Sequence, residues 1–203
     1  MGIVFSYTTA SLQNNLKGIK FVRKHLEGTD ISDFLKLNLQ ECENPNRYTL
    51  KLKFTSYLDK VINDFSKYTN HIYPDSKYFA NFRYKCSHLA TIGYKLKKGG
   101  VKIVQIQSYK KLEDEPPEYL PKKWDKILLL TMKDWTQHFG MEWFSVTRAE
   151  DINWYNKPSG SINADSEEEK LKLQKRLKMR YDILAKRCGL KYDEKNKDFR
   201  IHF

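Results

Sequence analysis

Residues 88–108, HLATIGYKLKKGGVKIVQIQS, place two runs of strand-forming side chains on either side of Lys97-Lys98-Gly99-Gly100. Runs joined by a short glycine-containing turn read as an antiparallel hairpin, here 88–96 against 101–108. In the second arm Val101 and Ile103 share one parity while Val104 and Ile106 share the other. Side chains alternate between the two faces of a strand. A change of parity inside one strand therefore means burial on both faces or a bulge that re-aims the chain.

Downstream of the hairpin, Glu113-Asp114-Glu115-Pro116-Pro117 is a loop, because proline cannot continue the strand. The spacing predicts a helix over 122–138, with Trp124, Leu128, Thr131, Trp135 and Phe139 on one stripe. Ile127, Leu129, Leu130 and Met132 surround that stripe, so most of the circumference is expected to be buried. Gly140 is placed to end it, and 142–148 reads as a strand. Residues 156–165 are rich in Asn, Pro, Gly and Ser, a loop composition. Asp165 followed by Glu168 resembles a capping box for a helix over 166–188, with Leu173, Leu177, Tyr181, Leu184 and Cys188 on one stripe. Gly189 stops it, and Phe199, Ile201 and Phe203 alternate with Arg200 and His202 as a closing strand.

Upstream of the hairpin the pattern gives a strand at 3–7 and an amphipathic helix at 10–26. A shorter helix carries Ile31, Phe34, Leu35 and Leu39, with Thr29 or Asp30 as its cap. Asn44-Pro45-Asn46 is a turn, 48–54 an alternating strand, and 55–69 a helix. The aromatic-rich stretch 70–87 reads only as loop plus a short element. Together these elements predict one α+β domain over 1–203, a mostly antiparallel sheet with helices on both faces.

Composition narrows the function classes. Of 203 residues, 40% are hydrophobic and 31% charged, a globular rather than disordered balance. The longest apolar run, Ile127–Leu130, is far short of the ~20 residues of a membrane span. No secretory leader is expected, and three unpaired-looking cysteines (Cys42, Cys86, Cys188) point to reduced thiols and a cytoplasmic location. Met1-Gly2 through Ser6 fits a loose N-myristoylation pattern, which a first strand explains better. No HExxH, CxxC or DxD spacing occurs, so no metal is expected; GxSxG, GxxxxGK[ST] and GxGxxG are missing too. A net charge of +12 favours an anionic partner.

From residue 88 to 203 the order is hairpin, helix, strand, long loop, helix, hairpin. That order resembles the GNAT acetyltransferase superfamily. The resemblance implies a bulged strand that binds the pantetheine of an acyl-CoA through its backbone, here at Val104, Ile106 and Ser108. It implies a following helix whose start faces the pyrophosphate, with Lys122 and Lys123 supplying charge. Asn153, just after the strand at 142–148, lies where a coenzyme or substrate edge would run. Acetyl-CoA or another acyl-CoA is the implied cofactor, and N-acyl transfer to an unidentified acceptor the implied reaction. Two departures leave a catalytically degenerate relative as the other outcome. The interval 108–122 holds no glycine for the family's Arg/Gln-x-x-Gly-x-Gly/Ala phosphate loop, and Ala185 stands where many members carry a general-acid tyrosine. Tyr181, one turn earlier, is the remaining candidate catalytic group.

The alternative is a basic nucleic-acid-binding or protein-interaction module. Between Lys170 and Lys191 lie nine cations and the single carboxylate Asp182. Lys175, Arg176, Lys178 and Arg180 would grip phosphates, with Tyr155, Tyr181 and Tyr192 available to stack on bases. A surface helix with its apolar stripe turned inward gives the same pattern.

Overall fold

In the computed structural model the structure describes residues 29–42, 44–54, 76, 78–108, 119–152, 155 and 166–203. The strand expected at 3–7, the helices expected at 10–26 and 55–69, the loops at 113–117 and 156–165, Gly2 and Asn153 lie outside the described residues. The described chain is α+β, built on one seven-stranded sheet. Its elements in order are α1 (Ser32–Asn38), β1 (Tyr48–Phe54), β2 (Tyr78–Tyr84), β3 (Ser87–Lys97), β4 (Gly100–Ser108) and α2 (Trp124–His138). β5 (Trp143–Thr147) follows, then α3 (Glu167–Lys178), which runs through a π-helical turn (Met179–Ile183) into α4 (Leu184–Arg187). β6 (Lys191–Asp193) and β7 (Asp198–His202) close the chain. Strand order is β1-β2-β3-β4-β5-β7-β6, antiparallel except for the β4–β5 pair.

The parity change in β4 is a bulge. Gly93 pairs with Gln105 and Tyr94 with Ile103, so Val104 has no opposite number on β3. The extra residue lets Val101, Ile103 and Ile106 all face one side, where each is buried. β5 pairs with β4 only along Gly100–Ile103. Beyond the bulge, among the described residues, β4 has no strand on that edge.

The stretch that resisted reading from sequence contains β2. Tyr78, Ala80, Phe82 and Tyr84 alternate with Phe79, Asn81 and Arg83, and the first set pairs in register with Phe54, Leu52, Leu50 and Tyr48 of β1. The resulting apolar face continues through Ala90, Ile92 and Tyr94 of β3. α1 and α2 pack into this core: α1 and its two flanking residues contribute Ile31, Leu35 and Leu39, and α2 contributes Leu128, Leu129, Met132 and Trp135. Trp135 meets the Tyr94 ring edge-on at 6.3 Å. The opposite side of the β4–β7 end carries charge instead. Asp198, 1% exposed, pairs with Lys102 of β4 at 3.1 Å across β5, where Ser145 is buried, and with Arg200 of its own strand at 3.1 Å.

Tyr94 is fully buried, and its hydroxyl has no hydrogen-bond partner among the described residues. Burial drives its pKa far above the ordinary phenol range. A buried hydroxyl without a partner costs about 1–3 kcal/mol of desolvation. Tyr94→Phe removes that cost while keeping the ring, so a melting temperature raised by about 2–12 °C is expected, read by thermal denaturation.

Three local boundaries differ from expectation. The hairpin turn is only Lys98 and Gly99, since Lys97 already pairs with Gly100. α2 starts at Trp124, because Lys123 adopts a left-handed conformation (φ 60) and cannot be a helical residue; Lys122 and Lys123 therefore precede the helix. The capping box of α3 is Ser166–Glu169, one residue later than Asp165–Glu168. The Glu169 N–H donates to Ser166 Oγ at 3.2 Å, and the Ser166 N–H donates to Glu169 Oε2 at 3.3 Å.

Where α4 ends, Cys188 is 5% exposed, and burial pushes its thiol up from the ordinary 9.0 to about 11. The unfolded chain releases this proton near pH 9.0, whereas the folded chain holds it to about pH 11. The folded state is thus penalised as pH rises through that window, by about 2–3 kcal/mol once both states are ionised. Denaturant melts at pH 8 and pH 11 should show a loss that is smaller by this amount in Cys188→Ala.

Candidate anion-binding grooves

Two grooves flank the start of α2. The first, about 890 Å³, lies between α2 and the α3–π–α4 rod. Leu173, Met179 and Leu184 give it an apolar floor. Lys123 and Lys126 line it from the start of α2; Lys172, Lys175, Arg176, Arg180 and Arg187 line it from the rod. Among the described residues only Asp125 and Glu169 oppose these seven cations. The capping box fixes where α3 begins, and the 3.6-residue repeat then sets Lys172, Lys175, Arg176 and Met179 along one side. Lys172 is held by Glu168 at 2.6 Å. Lys175, Arg176 and Arg187 form no ion pair among the described residues. Arg180 lies 5.4 Å from the Trp124 ring centroid, a cation–π contact that ties the rod to the start of α2.

The second groove, about 640 Å³, lies on the other side of the same helix start, between it and the C-terminal end of α1. Lys122, Lys123 and Lys126 line it together with Tyr48, Tyr84 and Tyr119. Thus the structure brings Lys123 together with Lys175, Arg176 and Arg180, but puts Lys122 in the second groove alone. Lys178 lines neither groove. It points to the Tyr155 ring, 5.7 Å away, and to Glu150 at 3.6 Å, and the Tyr155 phenol is the first cause of its raised pKa.

Val104, Ile106 and Ser108 line neither groove. Their link to the basic groove is Tyr181. The Ile106 N–H, on the strand edge that β5 has left, donates to Tyr181 Oη at 2.9 Å. Tyr181 is 2% exposed and sits in the π-helical turn next to Arg180. The turn is anchored on its other side by Asp182, whose carboxylate accepts the Ala149 N–H at 2.8 Å; burial raises the Asp182 pKa. The stacking role expected for Tyr155 and Tyr181 is corrected accordingly: both are buried, because the apolar stripe of the rod carries Tyr181 inward and Tyr155 packs in the same core. Tyr192 is exposed, with its hydroxyl 3.4 Å from the Arg148 guanidinium.

Among the described residues no group of three metal-ligating side chains is assembled, and no helix is long and apolar enough to cross a membrane. The tyrosine floor of the second groove had no signal in the sequence, since Tyr48, Tyr84 and Tyr119 come from three separate segments. No protein-family model, curated protein or solved structure matches the chain.

Proposed function

We propose that the chain is a GNAT-like domain that holds the phosphates of an acyl-CoA in the groove between α2 and α3, with the acyl arm running toward β4. The observation that carries this reading is the sequence of a bulge at Val104, a β4 edge that no strand pairs beyond Ile103 among the described residues, and a helix start beside seven cations. Side-chain charge from Lys175, Arg176, Arg180 and Arg187 takes the part that backbone amides of a glycine loop would otherwise play. Transfer of the acyl group to an amine is the reaction this fold would support. Tyr181 is the phenol beside the strand, and an acyl carbonyl reaching the Ile106 donor must displace it. The free cysteines suit a reducing compartment, the cytoplasm.

Acetyl-CoA at ~100 times its dissociation constant should stabilise the fold by about 2.7 kcal/mol. At ~2–4 °C per kcal/mol this is a melting shift of roughly 5–10 °C. No shift with any CoA ester sinks the reading. Arg176→Glu places a carboxylate among the phosphates and should weaken binding about tenfold, near 1.4 kcal/mol, by titration calorimetry.

A second reading rests on the same seven-to-two charge imbalance. A nucleic acid strand, or an acidic protein segment, would lie along Lys175, Arg176 and Arg180, and nucleic-acid binding would fall steeply with salt. Binding of RNA or DNA that is insensitive to salt, or absent, removes the nucleic-acid version of it.

A further inference from the structure

The second groove is distinct from the one assigned to acyl-CoA, and its chemistry is more specific than charge. We infer that it is a binding site for a small aromatic anion of the mononucleotide type, a planar heterocycle carrying a phosphate. This inference does not depend on acyl-CoA binding in the first groove.

Three features converge. Its volume of about 640 Å³ falls within the ~300–1,000 Å³ typical of small-molecule sites. One wall carries Lys122, Lys123 and Lys126, none of them in an ion pair among the described residues, and among those residues Glu41 is the one carboxylate in the lining. Cations left unpaired in a concavity raise the local potential for an anion. The floor is a ladder of rings. Tyr119 stacks on Tyr84 with centroids 4.4 Å apart and planes at 18°, and Tyr84 meets Tyr48 at 4.9 Å.

The ladder is braced before any ligand arrives. Tyr48 Oη donates to the Tyr119 carbonyl at 3.1 Å, and Arg47 donates to Tyr84 Oη at 3.3 Å. Tyr119 is nonetheless 45% exposed, so its ring offers a face at the groove mouth. A base can stack on such a ring irrespective of its identity, because every base has a π-face. The far rim supplies amides from Gln40 and Asn44, which can donate to or accept from the edge of a heterocycle. Inorganic phosphate would use the lysines but not the rings. A neutral aromatic would use the rings but not the lysines. Only a ligand with both parts engages the whole lining.

The full chain should be titrated with AMP, GMP, CMP and UMP by calorimetry, with inorganic phosphate and the free nucleosides as controls. At least one mononucleotide should bind, with phosphate and the matching nucleoside each at least tenfold weaker. Lys123 and Lys126 border both grooves, so the diagnostic variants are those unique to this one. Tyr119→Ala and Lys122→Glu should each weaken the nucleotide at least tenfold. Tyr119→Trp, which keeps a stacking ring, should bind within about threefold of the parent. Lys175→Glu and Arg176→Glu should change it less than twofold. The inference is overturned if no mononucleotide binds, if phosphate alone binds as well, or if the loss follows Lys175 and Arg176 rather than Tyr119 and Lys122.

Discussion

Gly100→Ala is expected to lower the melting temperature by about 6–12 °C, through a contact that no other part of the sheet can relieve. Gly100 opens β4, pairing with Lys97 on one side and with Trp143 of β5 on the other. A Cβ built there overlaps both the indole and the carbonyl oxygen of Trp143. Neither is free to move. The indole Nε1 donates to the Lys98 carbonyl at 3.2 Å, and the Arg200 guanidinium lies 4.1 Å from its ring centroid. The Trp143 N–H donates to the Gly99 carbonyl at 3.2 Å, so backing away would also open the turn. Overpacking of a site this confined costs about 3 kcal/mol, the upper part of the usual range. At ~2–4 °C per kcal/mol for a chain of this size, that gives the stated shift. The lesion falls on the one parallel pairing among the described strands, four residues long, which sets the point at which β4 and β5 part. A variant melting within 2 °C of the parent would mean that the two strands do not meet at Gly100 as described.

That parting is also where sequence and structure speak most clearly to one another. Val101, Ile103, Val104 and Ile106 state that something interrupts the period-2 pattern, but not which remedy the chain adopts. The bulge becomes legible only once β3 supplies Gly93 and Tyr94 as partners. Stretch 78–84 is the converse case. Its Tyr78, Ala80, Phe82 and Tyr84 alternate cleanly, yet rings on both parities (Phe79 among them) mask the period, and pairing with β1 resolves it. Terminal details were the least legible, for a local reason. Asp165 and Ser166 can both cap, and Lys122 and Lys123 look like good helix starters until a left-handed residue is needed after Pro121. At the site, cations on one helix repeat were visible as a cluster, since Lys172, Lys175 and Arg176 share a face. What the pattern could not supply was the other wall. Trp124 under Arg180, and Tyr119 stacked on Tyr84, join residues far apart in the chain, and no spacing rule relates them.

Tyr181 brings the fold and the proposed function to a single hydrogen bond, and its removal should separate the two. Tyr181→Phe leaves the buried Ile106 N–H without the acceptor now 2.9 Å away, which costs about 1–3 kcal/mol. Tyr181→Ala also empties the space of a ring that is 2% exposed, and should cost about 3–5 kcal/mol, a melting shift near 6–20 °C. The phenylalanine variant carries the sharper consequence. If an acyl carbonyl takes the Ile106 donor when coenzyme binds, the parent protein must first break the tyrosine bond, while the variant has a donor waiting. Folding stability should then fall while acyl-CoA affinity rises, by up to about tenfold for 1.4 kcal/mol of relieved desolvation. Denaturation and calorimetry on the same preparation read the two signs independently. A loss of both together would make the phenol a contact to the ligand itself. Lower stability with unchanged affinity would mean that the ligand never reaches β4, leaving the cations of the groove as the whole of the binding site.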